Sequence, residues 1–144
     1  LVNHEMALHV RTCADYGISE EQLFNAEEEV ANLAYTRFVM DAGIQGDFLD
    51  MMAALAPCVM GYGEIGARLG AATVPSNPYQ DWINTYAGSE YQELCDVVGS
   101  MMDGAAARRI GAHPEASPRW ASLQARFTKA TALEVGFWQM GLNP

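Results

Sequence analysis

Cys58 is the first side chain in this sequence that could act as a nucleophile. It follows Pro57 directly, and Tyr62 lies four residues on, so a helix would place the thiol and the phenol one turn apart. A cysteine thiolate attacks electrophilic carbon when a nearby group lowers its pKa or takes its proton. The alternative is a buried small hydrophobe, the usual role of an unpaired cysteine, which also suits Cys13 and Cys95.

Glu134 is the second candidate, because it interrupts an apolar run. Leu133 precedes it and Val135 follows it. A carboxyl group in apolar surroundings tends towards a raised pKa, which suits a general acid or base. The alternative is a glutamate on a solvated helix face, and the sequence leaves both interpretations open.

Tyrosines form the third candidate group. Aromatic rings that converge on one cavity can stack on a planar heterocycle, whereas most tyrosines at helical spacing are core residues whose hydroxyl finds a partner. The sequence does not decide between these two roles. The tyrosines concerned are Tyr35, Tyr62, Tyr86 and Tyr91.

The spacing of the possible metal ligands argues against a metal site. His4 and His9 are five residues apart, whereas a zinc-protease helix needs its histidines four apart. No Glu-x-x-His pair occurs, which weakens the case for a di-iron carboxylate bundle. No histidine lies near Cys58 in sequence, so a cysteine–histidine dyad has no local support.

The composition is that of an acidic chain with enough apolar residues for a core. Of 144 residues, 50% are hydrophobic, and the formal net charge is −10. This charge argues against binding nucleic acid or an anionic membrane, and no apolar run approaches the length expected of a membrane span. Three widely spaced cysteines suit a reducing compartment, so we expect a cytoplasmic protein. We expect residues 1–144 to form a single helical domain.

The elements that position the candidate residues are all predicted to be helices. Nothing alternates with period two for long, so we expect an all-α bundle of about six or seven helices. The central helix should run over residues 46–71, capped by Asp47 and kinked at Pro57. The other helices are predicted over residues 1–15, 27–42, 78–87, 90–110 and 118–141, with a loop at residues 74–77.

Capping residues and glycines set the predicted helix ends. Ser19 with Gln22, and Ser89 with Gln92, have the spacing of a capping box. Glycine ends helices because it adopts the left-handed conformation without a steric penalty. The glycines expected to end helices are Gly17, Gly43 and Gly88.

Several stretches of the sequence resemble the TenA (thiaminase II) family, in the family's order and at compatible spacing. The most specific stretch is Pro-Cys-x-x-Gly-Tyr-x-Glu-Ile-Gly, which begins at Pro57. The resemblance covers essentially the whole chain, which looks like roughly the last two-thirds of a family member. The other matching stretches are residues 34–36, 46–47, 77–83 and 131–140.

The resemblance implies a heme-oxygenase-like helical bundle that binds no heme, needs no cofactor or metal and assembles as a homotetramer. It implies hydrolysis at the methylene carbon attached to an aminopyrimidine ring. The ligand would be an aminopyrimidine from thiamin breakdown, or thiamin itself, and the product, hydroxymethyl-aminopyrimidine, would be salvaged for thiamin synthesis. Neither nucleic acid nor membrane would be a partner. We expect the family's N-terminal helices, with their pyrimidine-binding aspartate, to be missing from this chain.

The same resemblance assigns roles to individual residues. Cys58 would add to the pyrimidine ring, and Glu134 would serve as acid and base for the leaving amine and the water. Tyr62 would hydrogen-bond near the cysteine, while Tyr35 would pack against the ring. Met60 stands where the family usually has tryptophan, which would alter the packing of the pocket. The residues that match the family's pocket positions are Tyr35, Tyr62, Tyr86 and Phe137.

Two alternatives to the hydrolase remain open. The chain could be a non-catalytic or differently specialised ligand-binding member of the same fold, or an oxidase with a cofactor site on the same bundle. An oxidase would want histidines and arginines around its cavity, and this chain has 3 His and 8 Lys and Arg together. The presence of both Cys58 and Glu134 favours the hydrolase.

Overall fold

The computed structural model describes residues 2–72 and 76–142, with side chains from residue 6 onward in the first helix. The predicted all-α class is confirmed, since these residues form helices and turns and no strand. The helices are α1 (Val2–Asp15), α2 (Glu20–Phe24), α3 (Val30–Gln45), α4 (Phe48–Ala56), α5 (Tyr62–Gly70), α6 (Gln80–Ala87), α7 (Ser89–Ile110) and α8 (Trp120–Leu142), with a π-helical turn at Pro57–Gly61 and a 3-10 turn at Pro114–Ala116.

Residues 1–30 form one compact unit, in which α1 and α2 pack on each other. Gly17 ends α1 with a φ of +78°, and the Ile18 N–H donates to the Cys13 carbonyl at 2.9 Å. This is the arrangement that glycine favours at a helix C-terminus. The predicted capping box of Ser19 and Gln22 is confirmed, with both reciprocal hydrogen bonds present.

Residues 31–144 form the second compact unit, which contains the candidate site residues. Within it, α5 packs on α6, and α4 packs on α7 and α8. Two apolar clusters fill the spaces between these helices. One consists of Leu49, Ala53, Ala105 and Leu123, and the other of Met52, Val59 and Val98.

The central helix begins as predicted and changes geometry at its proline. Asp47 caps α4 by accepting a hydrogen bond from the Leu49 N–H at 2.8 Å, and Asp50 completes a capping box. At Pro57, where a kink was predicted, the structure has the π-helical turn, in which hydrogen bonds span five residues instead of four. Proline has no N–H to give to the α-helical ladder, so a wider turn costs no hydrogen bond there.

The continuous helical stretch Phe48–Gly70 contradicts the expectation that no apolar run approaches the length of a membrane span. It has 23 residues, and its most apolar 18-residue window has a mean hydropathy of 1.2, so it is long enough to cross a membrane. Half of that window is buried inside the protein. A core helix meets the same criterion, so the length alone is weak evidence for a span.

The predicted boundaries of α3 are wrong at both ends. The helix begins at Val30 and continues past Gly43 to Gln45. Gly43 lies against the next helix, where an added Cβ would be 3.3 Å from the Met51 side chain. Packing therefore explains this glycine better than helix termination does.

The other boundary errors come from capping. Gly88, not Ser89, is the N-cap of α7, and the Gln92 side chain donates to the Gly63 carbonyl at 2.9 Å. The predicted second capping box is therefore wrong. The predicted loop at residues 74–77 lies partly outside the described residues. The helices expected to begin at Pro78 and Pro118 begin at Gln80 and Trp120.

Candidate functional site

The π-helical turn carries Cys58 as its second residue. The Cys58 side chain is half-buried, and its thiol donates to the Leu55 carbonyl at 3.2 Å. The turn follows from the local sequence, because Pro57 cannot donate and crowds the carbonyl one turn back. Single π turns inside α-helices occur frequently at functional sites. The turn thus presents the thiol at an irregular point of an otherwise regular helix.

Side chains from two other helices hold this irregular segment. From α3, the Tyr35 hydroxyl donates to the Ala54 carbonyl at 3.3 Å. From α7, the Tyr91 hydroxyl donates to the Val59 carbonyl at 3.2 Å. These buried hydroxyls satisfy backbone acceptors on both sides of Cys58, as buried polar groups require.

Glu134 is the buried carboxylate that the sequence allowed for. It lies in α8, is only 8% exposed, and accepts a hydrogen bond from the Tyr62 hydroxyl at its Oε2 atom, over 3.4 Å. Burial raises the pKa of the Glu134 carboxyl, while hydrogen bonds from Tyr35 and Tyr62 act in the opposite direction. The net effect is a raised pKa, which suits a group that must hold and release a proton near neutral pH.

Tyr35 connects the thiol to the carboxylate. Burial is the main cause that raises the pKa of its hydroxyl, and hydrogen bonding and charge from both Cys58 and Glu134 raise it further. The pKa of Tyr62 is also raised, first by burial and then by the charge of Glu134. Both tyrosines are therefore neutral hydrogen-bond donors, and the four side chains form one interacting cluster.

An aromatic group adjoins this cluster through the Tyr62 ring. The ring centroids of Tyr62 and Tyr86 are 5.4 Å apart, and those of Tyr62 and Trp138 are 5.6 Å apart. Trp82 completes the group at 4.5 Å from Tyr86 and 5.7 Å from Trp138. Tilted and edge-on pairs at these distances are favourable, and they surround Tyr62 with aromatic surface.

The structure brings together most of the residues that the sequence pointed to. Tyr35 interacts with both Cys58 and Glu134, Tyr62 donates to Glu134, and Tyr86 joins them through its ring contact with Tyr62. Phe137 is half-buried in α8, three residues after Glu134, and among residues 2–72 and 76–142 its ring pairs with no other aromatic ring.

Trp82 and Trp138 are the aromatic residues to which the sequence analysis gave no role. Helical spacing was the signal that could have found them. Trp138 lies four residues after Glu134 on α8, and Trp82 lies four residues before Tyr86 on α6, so each shares a face with a candidate residue.

Neither a metal-binding group nor the groove between α4, α7 and α8 was found at this site in the described part of the chain. Among residues 2–72 and 76–142, no group of three or more His, Cys, Asp or Glu could hold a metal ion, and the side chain of His4 lies outside the described set. A groove of about 370 Å³ lies between α4, α7 and α8. Its walls include Leu49, Trp120 and Phe127, but neither Cys58 nor Glu134.

The fold and the site together define a class of protein. It is an all-α protein in which a thiol, a carboxyl group of raised pKa and two neutral tyrosine hydroxyls meet beside aromatic rings. Such a set can supply a nucleophile, a proton donor and acceptor, and flat surfaces for a planar ligand.

Comparison with known proteins identifies the family. The family model of TENA/THI-4/PQQC matches residues 1–143, and the chain belongs to this family. It is 35% identical to an aminopyrimidine aminohydrolase from Halalkalibacterium halodurans, over 99% of this chain and 62% of that protein.

Two solved structures share the fold. One, described as a TenA family transcription regulator from Silicibacter sp. TM1040, is 58% identical with a TM-score of 0.95, and the match covers 100% of this chain and 64% of that one. The other, a TenA homologue from P. horikoshii OT3, is 24% identical with a TM-score of 0.80, over 96% of this chain and 62% of that one. The chain thus spans less than two-thirds of the length of these relatives.

Proposed function

We propose that the protein is a hydrolase of the thiaminase II type. It would cleave the bond between an amine and the methylene carbon of an aminopyrimidine, and release hydroxymethyl-aminopyrimidine for thiamin salvage. The family and the aminohydrolase relative support the reaction class. The observation that carries the proposal is that Cys58 and Glu134 both interact with the Tyr35 hydroxyl, which brings the nucleophile and the acid into one cluster.

In the first half of the proposed reaction, the Cys58 thiolate forms a bond to a carbon of the pyrimidine ring. The electron pair displaced within the ring then expels the exocyclic amine from the methylene carbon. The protonated Glu134 carboxyl gives its proton to the departing nitrogen, which leaves as ammonia or a larger amine. A raised carboxyl pKa helps here, because the group must still hold a proton when the bond breaks.

In the second half, water replaces the amine. The Glu134 carboxylate takes a proton from water, whose oxygen bonds to the methylene carbon, and the ring then releases the Cys58 sulfur as thiolate. The sum is aminomethyl-aminopyrimidine plus water giving hydroxymethyl-aminopyrimidine plus ammonia. No oxidant, metal or cofactor enters this balance.

Aromatic side chains would hold the substrate for both steps. Tyr35 and Phe137 would pack against the pyrimidine ring, and Tyr86 would line the pocket. Tyr62 would keep the Glu134 carboxyl oriented, since its hydroxyl already donates to that group. Holding the ring against the thiol lowers the entropic part of the barrier.

The homotetramer and the cytoplasmic location belong to the proposal as well. The homotetramer follows from the TenA resemblance, and the location from cysteine usage. The only ligand proposed is the small-molecule aminopyrimidine or thiamin. We propose no nucleic acid partner, because the net charge of −10 would repel the phosphate backbone.

A second candidate function is ligand binding without turnover. It is favoured by one observation, that the 58% identical structure is described as a transcription regulator. The two candidates share the aromatic group but differ in what they need from Cys58. A binding protein would keep its affinity when the thiol is replaced, whereas the hydrolase would lose its reaction.

The test is ammonia release from aminomethyl-aminopyrimidine by the full-length protein. We expect robust release by the parent and a fall of at least about 100-fold in both Cys58→Ser and Glu134→Gln, because each removes a group that makes or breaks a bond. Cys13→Ser and Glu93→Gln are matched controls outside the site and should retain the parent rate. A folded parent that binds the compound without releasing ammonia would point to the binding protein instead.

A further inference from the structure

Helix α7 contributes a row of side-chain donors to the segment that carries the thiol. The Tyr91 hydroxyl and the Cys95 thiol both donate to the Val59 carbonyl, at 3.2 and 3.7 Å. One residue on from Tyr91, the Gln92 amide donates to the Gly63 carbonyl at 2.9 Å. The row therefore runs alongside the π-helical turn and the start of α5.

The Val59 carbonyl connects the backbone positions of Cys58 and Tyr62. Val59 follows Cys58 directly, and its carbonyl also accepts the backbone N–H of Tyr62. Displacing this oxygen would thus move the residue after the thiol and the residue that donates to Glu134. The width of the turn and the direction of both side chains depend on where this carbonyl is held.

Tyr91 is suited to hold the Val59 carbonyl in place, because packing fixes the Tyr91 ring independently of its hydroxyl. The side chain is 7% exposed, and its ring meets the edge of Tyr86 at 4.7 Å between centroids. A buried hydroxyl with a buried acceptor is costly to leave unpaired, so the hydrogen bond resists a change in the turn. Removing the oxygen alone would leave the packing in place and free the carbonyl.

We propose that Tyr91 is a positioning residue for Cys58. Through the Val59 carbonyl its hydroxyl keeps Pro57–Gly61 in π geometry, and this geometry directs the thiol towards Tyr35. An α-helical turn carries fewer residues, so relaxation towards it would rotate Cys58 about the helix axis. The catalytic consequence rests on the proposed hydrolase function, but the effect on the thiol does not.

The test compares the full-length protein with its Tyr91→Phe variant in two assays. In the first, kcat for ammonia release should fall about tenfold with KM within about twofold, because small misplacements of a reacting group cost rate more than binding. In the second, iodoacetamide should alkylate Cys58 about threefold faster, measured on its own peptide by mass spectrometry, because the loosened turn exposes the half-buried thiol. Cys13 provides the internal reference.

A stability-matched control separates positioning from general loosening. Leu123→Val shortens a buried side chain in the apolar cluster of Leu49, Ala53, Ala105 and Leu123. It should lower the melting temperature without changing a contact of the π-helical turn. It should leave Cys58 alkylation and kcat at parent values. Cys95→Ala removes the second donor to Val59 and should raise Cys58 alkylation to a lesser degree. It serves as the test if Tyr91→Phe does not fold.

The outcomes separate this inference from the proposed function. Cys58 alkylation at the parent rate in folded Tyr91→Phe would overturn the inference, as would an equal increase in Leu123→Val. If the parent releases no ammonia, the proposed function fails, but the alkylation assay still decides whether Tyr91 controls the thiol. If the parent is active and Tyr91→Phe keeps its kcat, only the positioning role fails.

Discussion

Among the single side chains, Glu134 is one whose protonation depends on its neighbours. Burial raises the pKa of its carboxyl, and hydrogen bonds from Tyr35 and Tyr62 offset part of that increase by stabilising the charged form. A group that must first give a proton and then take one works best when its pKa lies near the working pH. The tyrosines therefore adjust the acid as well as line the site.

Removing one of these hydrogen bonds should move the pH profile. In Tyr62→Phe, the carboxylate loses a donor that favours its charged form, so the pKa of Glu134 should rise. The limb of the kcat–pH profile that reports Glu134 should then move to higher pH, and kcat at its optimum should fall about tenfold. Tyr79→Phe, whose ring is exposed, is the control. A limb that stays in place or moves to lower pH would contradict this assignment.

The sequence was informative about these side chains where the chemistry was local. The apolar neighbours of Glu134 allowed either a buried carboxyl of raised pKa or a solvated glutamate, and its burial and pKa direction agree with the first. The pairing of Glu134 with Tyr62 spans 72 residues, and helical spacing cannot predict such a contact. The same limit explains why Trp82 and Trp138 received no role, since their meeting depends on how α6 and α8 cross.

Between elements, α5 and α6 approach each other closely. A Cβ added to Gly66 would lie 2.6 Å from the Tyr86 backbone, and one added to Gly70 would lie 2.8 Å from the Ala87 Cβ. These two glycines share a face of α5 because they are four residues apart. The face lets α6 approach closely enough for the Tyr86 ring to reach Tyr62.

Gly66→Ala should therefore destabilise the protein although alanine favours helices. The new methyl group would clash with backbone atoms that cannot move aside, which costs about 1–3 kcal/mol of unfolding free energy. Gly136→Ala is the matched control, because nothing lies within 4 Å of its added Cβ, and it should gain roughly 0.5–1 kcal/mol. Chemical denaturation of both variants measures this. Equal stability changes would show that α5 and α6 can separate without cost.

Element ends were predictable where the signal was a side chain bonded to its own helix. Asp47 and Ser19 cap α4 and α2 as expected. Ser89 does not cap α7, because the Gln92 side chain that would complete the box instead spans to Gly63 and Tyr86. The Gln92 side chain therefore bonds to carbonyls outside α7 instead of to Ser89, and the sequence contains no signal that predicts this choice.

Across the larger unit, long-range order depends on charges that no local pattern revealed. Arg119 donates to both Asp47 carboxylate oxygens, at 2.9 and 3.1 Å, and to Asp50 at 2.7 Å. Arg109 and Arg126 approach the same two aspartates at 3.5 and 3.4 Å. This cluster links the start of α4 to α7 and α8.

The chain also divides into residues 1–30 and 31–144, so the single domain expected from length stays a prediction.

Arg119→Met should weaken this link in a pH-dependent way. Hydrogen bonding to Arg119 is the main cause that lowers the pKa of Asp47, so the stabilisation exists above the ordinary carboxyl pKa and is lost as the pH falls through the lower folded value. At neutral pH the variant should lose about 1–2 kcal/mol, between the values for exposed and buried ion pairs. The difference in unfolding free energy between the variant and the parent should shrink below about pH 4.

A matched variant shows whether the cluster or arginine loss in general is responsible. Arg68 pairs with Glu64 at 3.9 Å, with both side chains more than 70% exposed (78% and 74%). Solvent screens such a pair, so Arg68→Met should change the unfolding free energy by less than about 0.5 kcal/mol at any pH. Denaturant unfolding at neutral and acid pH measures both variants. If Arg119→Met and Arg68→Met behaved alike, or if the Arg119 gap persisted in acid, the Asp47–Asp50 cluster would not be what joins α4 to α8.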